Sequence, residues 1–400
     1  MSVKKVFFAG VILVAFSCIS AVGQNTPEEI GAVRQIYDGT LYPDVQVRTF
    51  RNIDRLFPVR TIRHGGHVQR LPIAEKPLTG LQFQSRGKRY DLYDYLSLNR
   101  VSGLLVLKDG RIALERYELG NNPATRWMSM SVVKSITSTL VGVAIKDGYI
   151  KSINDPITNY LPKLRGSAYE GVTVKNLLQM ASGVKWDETY TNPSSDRRRM
   201  LDLQLAGRPG SILEFMSTLP RAGEPGTIWN YDTGETFVVG ELVHAAVKLP
   251  LAEYLSRRVW ANYGMESDAT WWLESRDGQE IGGSGLSATM RDYGRFGLFF
   301  LSGGVIGGNS ILPDGWVAEA GSGKVIGGRQ VNYGYMWWIP ESTDPVHAGA
   351  FFASGIFGQS IYISPRERVV IVVWSARPKP TGMDTVDDED FFAAVVKALK

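Results

Sequence analysis

SMSVVKS, residues 129–135, runs without a break into ITSTLVGVAIKDG, residues 136–148. Ser131 and Lys134 stand three apart in it, the S-x-x-K spacing that brings an amine over a hydroxyl on one helix face. The same spacing recurs at Ser2 with Lys5, Ser85 with Lys88 and Ser182 with Lys185, so context must separate the four. An activated serine needs a base within hydrogen-bond reach on a rigid support. Ser2 lies in a leader-like segment. Ser85 sits in the charged loop QSRGKRY, and Ser182 is followed at once by Gly183, where a preceding helix ends. Only Ser131 opens a long helical pattern, apolar at Val132, Val133, Ile136, Leu140, Val143 and Ala144 and closed by Asp147-Gly148.

Outward from that helix, the organisation follows turn chemistry. VSGLLVLKDGRIALERYEL, residues 101–119, is two apolar runs divided by Asp109-Gly110, a strong hairpin signal. GQSIYISPRERVVIVVWSA, residues 358–376, is a second hairpin turning at Ser364-Pro365-Arg366-Glu367, with VVIVVW as a buried strand. DDEDFFAAVVKAL, residues 387–399, is an amphipathic helix with acids in its first turn, where the helix dipole favours them. Residues 24–94 are rich in turn formers and read as an irregular N-terminal arm with a few strands; about 152–300 reads as a mostly helical, loop-rich lobe. Strands before and after that lobe predict an α/β (α+β) fold: an antiparallel sheet flanked by helices, with the helical lobe inserted and a cleft between the two.

The first 23 residues carry Lys4 and Lys5, an apolar stretch and Ala21-Val22-Gly23, the features of a cleaved export signal. An exported location, periplasmic or secreted, is therefore expected. The alternatives are a lipoprotein held through Cys18, against which bulky Phe16 stands, and an uncleaved anchor, for which the segment is short. Removing the signal leaves 377 residues with 42 basic and 40 acidic side chains, a formal charge of +2, and no case for nucleic acid. Cys18 is the only cysteine, so the mature chain has neither disulfides nor a thiolate nucleophile nor cysteine-ligated metal. Arg197-Arg198-Arg199 reads as a solvated face.

A nucleophilic Ser131 requires a second proton-handling group and an oxyanion site. Tyr231, in PGTIWNYDTGETFVVGELV, lies on a turn directly before an apolar helical run. In AGAFFASGIFGQSIYI, Ala353-Ser354-Gly355-Ile356 precedes a strand, and Gly355 allows close backbone approach. Trp127, Trp186, Trp229, Trp337 and Trp338 flank these motifs as core residues or as walls of an apolar pocket. His64 and His67 in RHGGHVQR read as loop residues, and Gly282-Gly283-Ser284 as a turn.

These motifs, with VTVKNLLQMASGVKWDETY, GGSGLSATMRDYGRFGLFFLSGG and YGYMWW, stand in one order from about residue 95 to 376. Together they resemble the serine β-lactamase and penicillin-recognising superfamily, in its class C-like branch of esterases and amidases, with 6-aminohexanoate-dimer hydrolases the nearest likeness. The resemblance implies a sheet domain over residues 95–400 with a helical domain beside it, and an acyl-enzyme mechanism that uses no metal and no cofactor. It implies Ser131 as nucleophile, Lys134 as its base, Tyr231 as proton shuttle, and the N–H groups of Ser131 and Ile356 as the oxyanion hole. Tyr190, Thr233 and Gly355 fall at substrate-binding positions. The expected partner is a small ester or amide, with no obligatory protein partner. Two departures matter: the K/H-T-G element reads Ala353-Ser354-Gly355, without the cation that grips a β-lactam carboxylate, and the Y-x-N element ends in Thr233. A β-lactamase or D,D-peptidase is the alternative within enzymes, and an acylated sensor or binding module the alternative outside them.

Overall fold

Asp109 and Gly110 take φ of 51° and 76°, the paired positive values of a tight hairpin turn, and join strand β1 (Val101–Lys108) to β2 (Arg111–Tyr117). The structure is a computed structural model that describes residues 1–2 and 27–400; the export-signal and Cys18 readings fall almost wholly outside that range. Far along the chain, β3 (Phe351–Gly355), β4 (Gln359–Ser364) and β5 (Val369–Ser375) form the second meander. β5 pairs with β1, so the sheet runs β3-β4-β5-β1-β2, antiparallel throughout.

Both faces of this sheet are covered, which is why SGLLVL and VVIVVW read as unbroken apolar runs rather than alternating ones. Leu105, Leu107, Val370 and Val372 face one core, while Leu104, Val106, Ile371 and Val373 face another. The first is closed by helix α3 (Met290–Leu301), the second by α4 (Asp388–Ala398). α3 comes close because it presents Gly294 and Gly297 to the sheet: a Cβ at these positions would stand 2.6 Å from Leu105 and 2.5 Å from Val370. The N-cap of α4, Asp387, accepts from the backbone N–H groups of Glu389 and Asp390.

Helix α1 (Val132–Lys146) is buried from Val132 to Ala144 and packs against α2 (Thr233–Val247) and β3. From 152 to 264 the regular elements are helical. Ala269–Trp272 and Leu286–Thr289, within the stretch read as mostly helical, are instead strands of a four-stranded sheet completed by Val59–Ile62 and Arg126–Met128. Their residues are buried, so no alternation marked them, and a short apolar run does not by itself separate strand from helix. The arm is more regular than its composition suggested: it holds helices Val33–Asp38, Pro43–Arg51 and Leu92–Leu98 and a hairpin, Gln82–Ser85 with Lys88–Asp91.

Candidate active site

Ser131 stands where strand Arg126–Met128 gives way to α1. The strand is fixed by its pairing with Leu286–Thr289, and the Ser129 N–H donates to Leu286 O at 2.7 Å. Met130 then takes φ of 43°, a conformation costly for a residue with a side chain and retained here by the packing on both sides. Ser131 itself is helical in backbone and makes no capping bond with its side chain. Its hydroxyl therefore does not serve the helix end, and accepts from Lys134 Nζ at 3.0 Å instead.

Lys134 is 1% exposed. Its Nζ also donates to Thr233 Oγ1 at 2.9 Å and to Gly283 O at 2.8 Å, so all three ammonium donors are matched. Burial lowers its pKa from 10.5 to about 7; the Glu188 carboxylate and Asp232 oppose that fall, and the Arg197 guanidinium adds to it. A lysine with that pKa is available as a neutral base near neutral pH.

Across the cleft, the end of β3 presses on the start of α1. A Cβ at Gly355 would stand 2.7 Å from Ser129 O and 3.0 Å from Ser131 N, so only glycine permits this approach. Among the described residues, neither the Ser131 N–H nor the Ile356 N–H has a protein acceptor, and both are available to a ligand. Such a pair of backbone donors is suited to stabilising an oxyanion.

Tyr231 is half-buried just before α2, whose N-cap Asp232 accepts from the Glu235 N–H at 2.9 Å. Its ring stacks on Trp338 at 5.5 Å, meets Tyr333 edge-on, and lies 5.2 Å from Lys134 Nζ. Burial, with the Glu188 carboxylate, raises the phenol pKa, and the nearby Ser131 hydroxyl offsets only part of that rise. Ser131, Glu188, Tyr190, Tyr231, Trp338 and Ile356 together line a cavity of about 850 Å³.

Ser131, Lys134, Tyr231, Tyr190, Gly355 and Ile356 are thus gathered in one place. Thr233 is 2% exposed and is held between Lys134 and Glu188 rather than on the cleft wall. Of the five flanking tryptophans, Trp338 lines the cleft, whereas Trp127 and Trp337 are fully buried. The arginine run departs from a solvated face: Arg197 and Arg198 are each 3% exposed. Arg197 lies over the Tyr37 ring and donates to its hydroxyl, and Arg198 pairs with Asp38. His64 sits in a loop and meets Asp268. Glu188 and the Gly283 carbonyl are the site groups that sequence reasoning missed. For Glu188 the signal was a carboxylate two residues before Tyr190; a backbone carbonyl gives none.

The Beta-lactamase family model matches residues 99–394. A 6-aminohexanoate-dimer hydrolase of Paenarthrobacter ureafaciens is 31% identical over 308 residues, covering 72% of this chain and 76% of its own. In fold the chain is similar to a Bacillus anthracis protein provisionally described as a 6-aminohexanoate-dimer hydrolase, with a TM-score of 0.78 at 23% identity over 89% of this chain and 94% of that one. It is also similar to a family VIII carboxylesterase, with a TM-score of 0.57 at 16% identity over 74% of this chain and 91% of that one.

Proposed function

The chain belongs to the beta-lactamase family, a family of hydrolases, and from that premise we propose that it cleaves small ester or amide substrates through an acyl-enzyme on Ser131. The observation that carries this reading is the 3.0 Å contact between Ser131 Oγ and a buried Lys134 amine whose pKa lies near 7.

In this reading Ser131 Oγ adds to the substrate carbonyl carbon as its proton passes to Lys134. The resulting oxyanion is received by the N–H groups of Ser131 and Ile356. Collapse breaks the bond to the leaving alkoxide or amine, which takes up a proton by way of Tyr231. A water then adds to the acyl carbon as its proton passes through the neutral Tyr231 phenol to Lys134, and collapse breaks the acyl–Oγ bond, with Lys134 returning the proton to Ser131 as the acid leaves. Tyr190 and Trp338 would flank the substrate. The absence of a cation at Ala353 favours linear esters and amides over β-lactams, and the curated relative's name points to the 6-aminohexanoate dimer as one substrate to try. Lys4, Lys5 and the apolar stretch that follows support export.

The test is a time course on wild type and Ser131→Ala with p-nitrophenyl acetate and butyrate, a linear 6-aminohexanoate dimer and nitrocefin. Ester or amide cleavage that disappears in Ser131→Ala is expected, with little nitrocefin turnover. Activity that survives in Ser131→Ala removes Ser131 from the mechanism, and rapid nitrocefin turnover reverses the preference.

A further inference from the structure

Glu188 has no part in the steps above, yet three donors converge on it. Its Oε2 accepts the Thr233 backbone N–H at 2.9 Å and the indole N–H of Trp186, and its Oε1 accepts the Thr233 hydroxyl. Thr233 Oγ1 in turn accepts from Lys134 Nζ, and Lys134 reaches Ser131. The result is a continuous line of hydrogen bonds from a carboxylate to the serine oxygen.

We propose that Glu188, acting through Thr233, is a positioning residue that aims the Lys134 lone pair at Ser131. This rests on the acyl-enzyme reading and deepens it. A threonine hydroxyl has one proton; a carboxylate can only accept, so that proton is committed to Glu188 and the oxygen offers Lys134 nothing but lone pairs. The Gly283 carbonyl likewise can only accept. Two N–H bonds of the neutral amine are then fixed, and the remaining tetrahedral direction, occupied by the lone pair, points along the 3.0 Å contact to Ser131 Oγ. Were the Thr233 hydroxyl free to turn, it would donate to that lone pair and mask the base. The arrangement parallels the way a buried carboxylate fixes the orientation of histidine in a serine triad.

The titratable and charged groups facing Lys134 are Glu188 from the loop after Trp186, Arg197 from helix Asp196–Ala206, and Asp232 before α2, whose carboxyl pKa is pushed well up by burial and by neighbouring Glu235. The phenols of Tyr190 and Tyr231 complete the surroundings, and burial holds both of them neutral. Removing the Glu188 charge takes away a group that favours the ammonium, so the amine becomes neutral at lower pH.

The experiment measures kcat/KM against pH for p-nitrophenyl butyrate on the full chain, as wild type, Glu188→Gln, Thr233→Val, Thr233→Ser and the double variant Glu188→Gln/Thr233→Val. Glu188→Gln and Thr233→Val should each lose roughly 10²-fold, within the range of a misdirected general base. Thr233→Ser, which keeps the hydroxyl, should recover most of the rate. The double variant should be no slower than the slower single one, because both act on one chain of bonds. In Glu188→Gln the acid limb should also move to lower pH, whereas a merely structural defect lowers the rate at every pH and leaves the limb in place. Unchanged kcat/KM, or a lower one with an unmoved limb, overturns the proposal. If Glu188→Gln does not fold, Thr233→Val against Thr233→Ser decides, and equal rates in those two overturn it. Ser131→Ala run alongside keeps the two readings apart: activity there defeats the acyl-enzyme itself, while an inactive Ser131→Ala beside an unaffected Glu188→Gln defeats only the role of Glu188.

Discussion

Gly355 lies so near Ser131 that a Cβ on it would sit 3.0 Å from the Ser131 amide nitrogen, and nearer still to the carbonyl oxygen of Ser129. We predict that Gly355→Ala shifts the end of β3 away from α1 and moves the Ile356 N–H out of reach of the oxyanion. The loss in kcat/KM should be about 10²-fold, comparable to deleting one oxyanion donor. Because the new Cβ meets backbone atoms and β3 packs on α1, the melting temperature should fall as well; steady-state kinetics and a thermal melt on the same sample check both statements.

In the proposed mechanism the pH response is set by Lys134. Its folded pKa is lowered to about 7 by burial, so kcat/KM should rise with pH through a midpoint near 7, as the amine becomes a base. The sign for stability follows from the same shift. Between about 7 and 10.5 the unfolded chain binds this proton and the folded chain does not, so this residue makes stability increase with pH across that window. Lys134→Met should abolish the rate limb and flatten that part of the stability profile, as read by denaturant titrations at several pH values.

Tyr231→Phe removes one hydroxyl and keeps the ring on Trp338. Turnover of p-nitrophenyl butyrate should fall by roughly 10² to 10⁴-fold. If the phenol also activates the deacylating water, intact-mass spectra of the variant should show the acylated chain accumulating on Ser131. A slow variant without adduct would confine Tyr231 to the first half of the reaction.

Trp127, a possible pocket residue on sequence grounds, belongs to the core. It is fully buried, stacks on Trp374, and donates its indole N–H to Gln359 Oε1 at 2.9 Å. Trp127→Ala should cost about 3–5 kcal/mol in stability, the range for deleting a large buried aromatic. Trp338→Ala, on the cleft wall, should instead impair turnover more than folding. Urea unfolding and kcat/KM on the two variants separate wall from core.

The sheet was legible in the sequence because its signals are local. Asp109-Gly110 fixes one hairpin, and the apolar run Val369–Trp374, dominated by β-branched residues and preceded by a proline turn, reads as a strand covered on both sides. Ser131, Lys134 and Tyr231 were legible because their motifs are short and ordered. What escaped depends on contacts between distant segments. Nothing in Ala269–Trp272 announces that it pairs with Val59–Ile62, more than 200 residues earlier. Three consecutive arginines look solvated until Tyr37 and Asp38, from the arm, are seen to receive two of them. Glu188 was invisible for the same reason: its partner Thr233 lies 45 residues away.

The pairing of β1 with β5 joins residues more than 250 positions apart, and Ser131 follows the first meander while Ile356 belongs to the second. The two donors proposed for the oxyanion therefore cannot meet until the late meander has docked on the early one. A ribosome-bound chain that has already made Ser131, Lys134 and Tyr231 still lacks this half of its machinery. On the scale given above for displacing the Ile356 N–H, a chain in which that pairing has not closed should turn over esters and amides about 10²-fold more slowly than the finished one.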